Sequence, residues 1–590
     1  MQDQATPTPA RLLSPRRKTS GAHSPAELAR EQLDHFAIPA DSPVAPPLLA
    51  LTEKLYAAHD DLLGLWAETT RTLAQLPRAD RLALFNAKKF VAFQLAKLLD
   101  LLQNPSRAVH QSLGHSLETT LAKGPYPTFD NVAALFSANP VITRTATYIF
   151  ACTEWIDDAF HGREFLHEIY SRLLNPTSIA LANHIVDLEA GPEAADYLAW
   201  NFNSGMSAID GALSHLIGYR DIVLASRNVY GGTYQLLHDW FAKPSNLDVA
   251  IEFFDGCDAD DFSAALTRAQ TTHADRLADG RRIYVFIESP CNPHGTFLDV
   301  PGICRAAHAA GLTVLLDGTV ATPFLSRPLR HPDPTARPDY LIHSYTKDLA
   351  GAGNTTAGVV IGRAPDMFAP KGEPGWDQTL FWNVYYVKGA FLEADKAFEV
   401  LSGMKTLEGR MLKKCINTRI LAEWLSTHPA ITVQCPAIVG HPHHHLVDEL
   451  SYLGLPAPLF TIDFERAGLN RLHFQRFFDA LAPMFGHMVT LGQSNTVVLC
   501  PALTSHSELS PAALAAAGIA PTTIRIAVGD EEPRELIRDF LATAKLMLDP
   551  VAPGFSDDFP QGPVVDQLCD EIYVDVHRRH AASRPRLAEL

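Results

Sequence analysis

Two short apolar runs, each closing on groups that carry chemistry, limit what this chain can fold into. Gly311-Leu-Thr-Val-Leu-Leu-Asp317-Gly-Thr is apolar throughout and ends in a carboxylate. Tyr340-Leu-Ile-His-Ser344-Tyr-Thr346-Lys347 passes through two hydroxyls to an amine, then enters the small-residue loop Gly351-Ala-Gly353. Apolar runs of this length between turn signals read as central strands of a parallel sheet. Open α/β sheets bind ligands at the carboxyl ends of such strands, where Asp317 and Lys347 lie.

A lysine that follows a strand is ordinarily a solvated charge. Placed with Asp317, Ser344 and Thr346, Lys347 reads as the amine of a Schiff-base site. Pyridoxal 5'-phosphate needs an amine for its aldehyde and an acid that keeps its ring nitrogen protonated. Lys347 and Asp317 supply these, the hydroxyls can hold the phosphate, and the glycines let backbone approach closely.

The 590 residues suffice for one large enzyme with appendages or for several domains. A net charge of −17 argues against nucleic acid or an anionic membrane as partner. Eight cysteines without a CxxC pair suit a reducing cytoplasm rather than a disulfide framework or zinc site. No apolar run has the length of a membrane span. Arg11, Arg16, Arg17 and Lys18 precede no apolar core, so a signal peptide is not expected.

Residues 1 to 25, rich in Pro, Thr, Ser and Arg, read as disordered. Helical apolar spacing then covers Pro46 to Leu76, Ala79 to Gln103 and Val109 to Leu121, broken at Pro77 and at Asn104-Pro105. This reads as a helical extension over 26–130 that serves oligomerisation or docking, without a catalytic cluster.

From Tyr170 the motifs become specific. Tyr170-Ser-Arg172-Leu-Leu-Asn-Pro-Thr, Asn203-Ser204-Gly205-Met206, Asn228-Val-Tyr230-Gly-Gly, Ser289-Pro-Cys-Asn292-Pro, Asp317-Gly-Thr, Ser344-Tyr-Thr346-Lys347 and Thr523-Ile-Arg525 follow in order. This series resembles the Cys/Met-metabolism (trans-sulfuration) family of PLP-dependent enzymes, which includes cystathionine γ-synthase, cystathionine lyases, methionine γ-lyase and homoserine sulfhydrylases. The resemblance spans roughly 140–548 of the chain. It implies an α/β chain of PLP-dependent transferase fold type I, similar to aspartate aminotransferase. The large domain with its N-terminal arm would cover 131–395 and a small C-terminal domain 396–548, while the Pro- and Asp-rich tail 549–590 has no counterpart in the family pattern.

The same resemblance assigns roles. Tyr170 and Arg172 would reach the phosphate of a neighbouring subunit in a homodimer or homotetramer with shared sites. Ser204, Gly205 and Met206 would open a helix onto the phosphate, with Ser344 and Thr346 beside them. Tyr230 would stack on the ring, Asn292 would bond its phenolic oxygen, and Arg525 would clamp the substrate α-carboxylate near Thr490. Lys347, Tyr230 and Asp317 would be the catalytic set. No metal is expected, because the adjacent His443, His444 and His445 cannot all face one ion.

Several positions depart from the family pattern. Gly351-Ala-Gly-Asn354 stands for its Gly-His-x-Asp, Gly318 for the Asn of Asp-Asn-Thr, Gln493-Ser-Asn495 for a Glu-bearing loop, and Gly232 for the cysteine of methionine γ-lyases. The segment Lys371 to Glu393, with Trp376, Phe381, Trp382, Tyr385 and Tyr386, reads as a reshaped entrance. The expected reaction is γ-replacement or γ-elimination on an activated homoserine or sulfur amino acid in the cytoplasm. The alternatives are a cystathionine β-lyase-type β-elimination and, in another class, a non-catalytic PLP-fold regulator or scaffold.

Overall fold

A computed structural model describes residues 24–123, 137–149, 153, 156, 160, 170–504 and 511–586. Most of the expected disordered N-terminus (1–23) and the loop residues Ser505 and His506 lie outside these. The chain forms two compact units: one runs to Ser171 and takes in Pro370–Gly372, and the other holds the rest.

The first unit is helical. Helix α1 (Pro25–His35) starts at Ser24 with a capping box: the Ser24 hydroxyl accepts from Glu27 N, and the Glu27 carboxylate accepts from Ser24 N. Leu28, Ala29 and Leu33 form its buried stripe. Tyr56 on α2 (Ala45–Thr72) donates to Gln32 at 2.6 Å. Helix α3 (Arg78–Ser112) corrects the sequence reading, because it runs straight through Pro105. A proline removes one backbone donor, but a helix of 35 residues keeps enough bonds to continue. The actual break is Gly114, whose φ of +64° favours glycine. On α3, Leu82, Phe85 and Phe90 are 60%, 63% and 65% exposed. The apolar spacing therefore does not mark an internal core here.

The second unit is built on a seven-stranded sheet. Helix α4 (Pro176–Ala190), capped by the Asn175 side chain on Thr177 N, leads to β1 (Tyr197–Phe202) and α5 (Gly205–Leu216). Strands β2 (Ile222–Ser226), β3 (Ala250–Phe254), β4 (Ile283–Glu288), β5 (Thr313–Asp317), β6 (Tyr340–Ser344) and β7 (Gly358–Arg363) complete it. Their order is β1-β7-β6-β5-β4-β2-β3, and β7 alone runs against its neighbours. In register, Glu288 faces Asp317, and Asp317 faces Ile342. The central strands are buried on both sides, as continuous apolar runs require.

After helix α6 (Leu407–Ser426) come β8 (Thr432–Gln434), β9 (Leu459–Asp463), β10 (Gly486–His487), β11 (Val497–Leu499) and β12 (Ile524–Ala527). They form a second sheet ordered β10-β11-β12-β9-β8. Helices α7 (Pro533–Met547) and α8 (Pro563–Ala582) follow. The chain after Asp549 is no loose tail. Val565, Cys569, Ile572 and Val576 of α8 join the common core. Fully buried Trp424 stacks on Phe559 at 4.4 Å and donates to Pro560 O. Burying apolar side chains of this size is worth about 1.5–3 kcal/mol each, enough to order a segment that looks polar in sequence.

The aromatic segment also differs from expectation. Phe381 and Tyr385 pack on Trp200 of edge strand β1 with ring centroids 4.8 and 5.1 Å away, and Trp376, Trp382 and Tyr386 continue the cluster. These rings cover the sheet edge. They do not line the cavity described next.

Candidate active site

Five strands deliver chemistry at their carboxyl ends. β1 passes through Ser204 into α5, β2 leads to Tyr230, β4 and β5 end in Glu288 and Asp317, and β6 leads to Ser344, Thr346 and Lys347. With Asn292, Thr490 and Arg525 these residues line one cavity of about 200 Å³. Convergence at strand ends is where an open α/β sheet presents its crevice.

One end of the cavity suits an anion. α5 is twelve residues long and starts beneath the cavity. The Ser204 hydroxyl is spent on capping: it accepts from Ser207 N at 3.1 Å, which leaves the backbone donors at Gly205 and Met206 for a ligand. A Cβ at Gly205 would lie 2.7 Å from Ser344 Cβ, so only glycine lets this helix start meet the β6 hydroxyl. The Thr346 hydroxyl lines the same end, with Ala357 N donating to it at 3.0 Å.

The other end holds two buried carboxyls. Asp317 accepts from Thr319 N at 3.0 Å, and burial pushes its carboxyl up from the ordinary range. Glu288, its neighbour in register, accepts from Tyr230 N at 2.6 Å and Asn292 N at 3.0 Å. Burial and the charge of Asp317 raise Glu288 well above the usual carboxylate range. Two acids this close call for a cation in the cavity, and a protonated ring nitrogen provides one.

Between these ends lies the amine. Lys347 Nζ donates to Thr490 Oγ1 at 3.3 Å, and burial, helped by the Arg525 charge, lowers the amine to about 8. Arg525 is itself buried, donating to Asn292 Oδ1 at 3.0 Å and to Thr490 O. Its Nε is buried without a partner, an orphan donor that a bound carboxylate would satisfy. An amine, an acid, an anion cradle and an aimed guanidinium are the donor set pyridoxal phosphate and an amino acid require, so the residues fit the group.

A model of the Cys/Met metabolism PLP-dependent enzyme family matches residues 129–545. The chain belongs to this family. It is 31% identical over 402 residues to an L-methionine gamma-lyase of Pseudomonas putida, covering 68% of this chain and 90% of that one. A crystal structure of cystathionine gamma synthase from Xanthomonas oryzae pv. oryzae, in complex with cystathionine, superposes with a TM-score of 0.57 at 25% identity. It covers 70% of this chain and 95% of the other. A Campylobacter jejuni structure assigned as an O-acetylhomoserine (thiol)-lyase, with N'-pyridoxyl-lysine-5'-monophosphate, matches at 26% identity and a TM-score of 0.58. It covers 69% of this chain and 96% of that one. The fold is accordingly that of fold type I PLP-dependent enzymes, and the cofactor of this family member is pyridoxal phosphate.

Within this family member, two expected residues lie outside the cavity lining. Tyr170 forms an isolated bridge with Thr147 and is 41% exposed. The Arg172 guanidinium donates to Tyr386 O at 2.7 Å. Gly232 has a steric reason: a Cβ there would lie 2.6 Å from Tyr230 Cε1 and 3.0 Å from Met206 Sδ. A cysteine at 232 would therefore displace the Tyr230 ring. Glu288 and Thr319 were missed as site residues, although Glu288 closes an apolar strand just as Asp317 does. Thr319 Oγ1 accepts from Ser344 N at 2.8 Å and ties the acid's turn to the lysine strand.

The three adjacent histidines go separate ways. His444 Nδ1 lies 2.9 Å from Pro436 O, while His445 is exposed. Among the described residues no group of metal-ligating side chains is assembled, and no helix is long and apolar enough to cross a membrane. Cys291 is buried against Glu288, with its thiol pushed up to about 11, which makes a poor nucleophile. On the reverse of β5 and β6, Leu316, Gly318, Leu341 and His343 line a second cavity of about 240 Å³. There His343 Nε2 meets buried Glu189 at 2.8 Å.

Proposed function

We propose that this chain carries out γ-replacement or γ-elimination on an activated homoserine or a sulfur amino acid. The observation that carries the reading is the single cavity shared by Lys347, Asp317 and Arg525. When bound, pyridoxal phosphate supplies an aldehyde that condenses with amines and a ring that delocalises electrons.

The residues do the rest. Arg525, aimed by Asn292 and Thr490, binds the α-carboxylate and fixes which hydrogen faces the lysine. Lys347, with its amine near 8, is substantially neutral just above physiological pH and takes the α-proton. Asp317 holds a proton on the ring nitrogen, and Asn292 orients the ring from its phenolic side. Tyr230, whose backbone N–H is held by Glu288, lines the cavity, and its hydroxyl would protonate a leaving γ-substituent. Tyr170 and Arg172 complete the phosphate site of a partner subunit in a homodimer or homotetramer. The chain works in the cytoplasm, and the extension read over 26–130, helical through its described part to Lys123, is appended to a large domain and a small C-terminal one.

An absorbance scan of purified protein tests this. We expect a band at about 420 nm from lysine-linked cofactor, perturbed by methionine, cystathionine or acylated homoserines. Lys347→Ala is expected to abolish turnover, and full activity in that variant would sink the reading. A response to cystathionine alone, with pyruvate formed, would point to β-elimination instead.

A further inference from the structure

The residue after the reactive lysine is an acid, and its partner comes from helix α6. Lys414 Nζ lies 2.8 Å from Asp348 Oδ1, and both side chains have no solvent exposure. The second carboxylate oxygen, Oδ2, has no partner. Arg410, one turn earlier on α6, donates to Asp348 O at 2.9 Å and to Gly403 O at 2.9 Å. Asn417, one turn later, donates to Gly529 O at 3.1 Å and Glu531 O at 2.8 Å, just beyond the strand that carries Arg525. Arg410, Lys414 and Asn417 share one face of the helix. That face grips the lysine turn at one end and the chain leaving β12 at the other.

The turn has no slack. A Cβ at Gly492 would lie 2.8 Å from Lys347 Cα, so the loop bearing Thr490 is pressed against the lysine backbone. A buried pair of opposite charges contributes little net stability, whereas one buried charge left alone is costly. Such a pair beside a reactive amine calls for another explanation.

We propose that Lys414 is a positioning residue, which holds the Lys347 turn on α6 and offsets the Asp348 charge that would otherwise pull a proton onto Lys347 more strongly. This rests on Lys347 being the cofactor lysine. The charged and titratable groups on the elements packed about that turn and its cavity include Arg525 from β12, Asp348 beside the lysine, Arg410 and Lys414 from α6, Asp530 after β12, and Asp317, Glu288 and Tyr230 in the cavity lining. Arg525 opposes protonation of Lys347 and Asp348 favours it. The Lys414 ammonium, 2.8 Å from Asp348, limits that pull, and the lysine keeps the low proton affinity a base needs near neutral pH.

The test uses the full-length holoenzyme and the pH midpoint of its lysine-linked absorbance band, with steady-state kinetics alongside. Lys414→Met is expected to raise the midpoint by about one unit, because it removes a cation and bares an anion. It should lower kcat about tenfold with little change in KM. The double variant Lys414→Met/Asp348→Asn, again without net charge, should return the midpoint to within a few tenths of wild type. Lys414→Arg should keep it.

If Lys414→Met does not fold, Asp348→Asn alone should lower the midpoint. An unmoved midpoint in the foldable variant overturns the proposal, and so does a double variant that keeps the single variant's shift. Borohydride reduction and peptide mapping separate the two levels. Attachment away from Lys347 defeats the reading of the site and the proposal with it. Attachment at Lys347 with unmoved midpoints defeats only the role of Lys414.

Discussion

Replacing Arg525 probes the substrate end of the cavity directly. Its guanidinium is buried, with two nitrogens already aimed by Asn292 Oδ1 and Thr490 O and a third donor unsatisfied. A substrate carboxylate would add two charge-assisted bonds, each worth about 1.5–3 kcal/mol. Lysine keeps the charge but offers a compact ammonium instead of a planar fork. Arg525→Lys should therefore lose about one such bond, a fall of roughly 10- to 150-fold in kcat/KM, carried mostly by KM. Arg525→Met removes the charge as well. Arg525 is one cause of the low Lys347 amine at about 8, so its loss should raise that value and move the acidic limb of the pH profile upward. The assay is steady-state kinetics between about pH 6 and 10, with matched substrates and analogues lacking the carboxylate. A lysine variant within threefold of wild type, or a Met variant whose limb moves to lower pH, would refute the clamp.

Mixing inactive Arg172→Ala with inactive Lys347→Ala subunits should restore about a quarter of wild-type sites under random dimer exchange, and no recovery after proven exchange argues against shared sites. Removing residues 1 to about 125 should leave cofactor absorbance intact while light scattering shows a changed oligomer or aggregation, since the exposed Leu and Phe of α3 need a partner. Acid should destabilise the fold through His215, held at about 4 by burial next to Tyr340 and Asn383. Its stability contribution is whole above about pH 6.5, its unfolded value, and is lost as pH falls toward 4. Melting temperatures across that window should fall less steeply in His215→Gln.

The strands that end in Asp317 and Lys347 were legible because each is a short apolar run that closes on a polar group. That pattern belongs to local sequence. Helix α3 was misread at Pro105, where a local penalty was overruled by the helix around it. The segment after Asp549 looked like a tail because its apolar residues are spaced for contact with α6 and α7, which no window of sequence contains. Helix α6 shows the same blindness from the other side. Most of it is buried, yet Lys414 reads as a solvated charge until Asp348 is placed against it. Glu288 escaped notice because its work is done through two backbone donors that come from distant turns.

Strand β6 is read from both sides. Ile342 and Ser344 face the cofactor cavity, while Leu341 and His343 face the second one. Substitutions at even and odd positions therefore form two nearly separate libraries, one able to retune chemistry and the other able to reshape its backing. Deleting one residue would exchange the two sets at a stroke, since alternation along a strand has a period of two. Evolution and engineering alike can edit this strand by replacement but not by length. Variation in chain length should instead accumulate in the loop around Gly372 and Gly375, where an added Cβ meets open space.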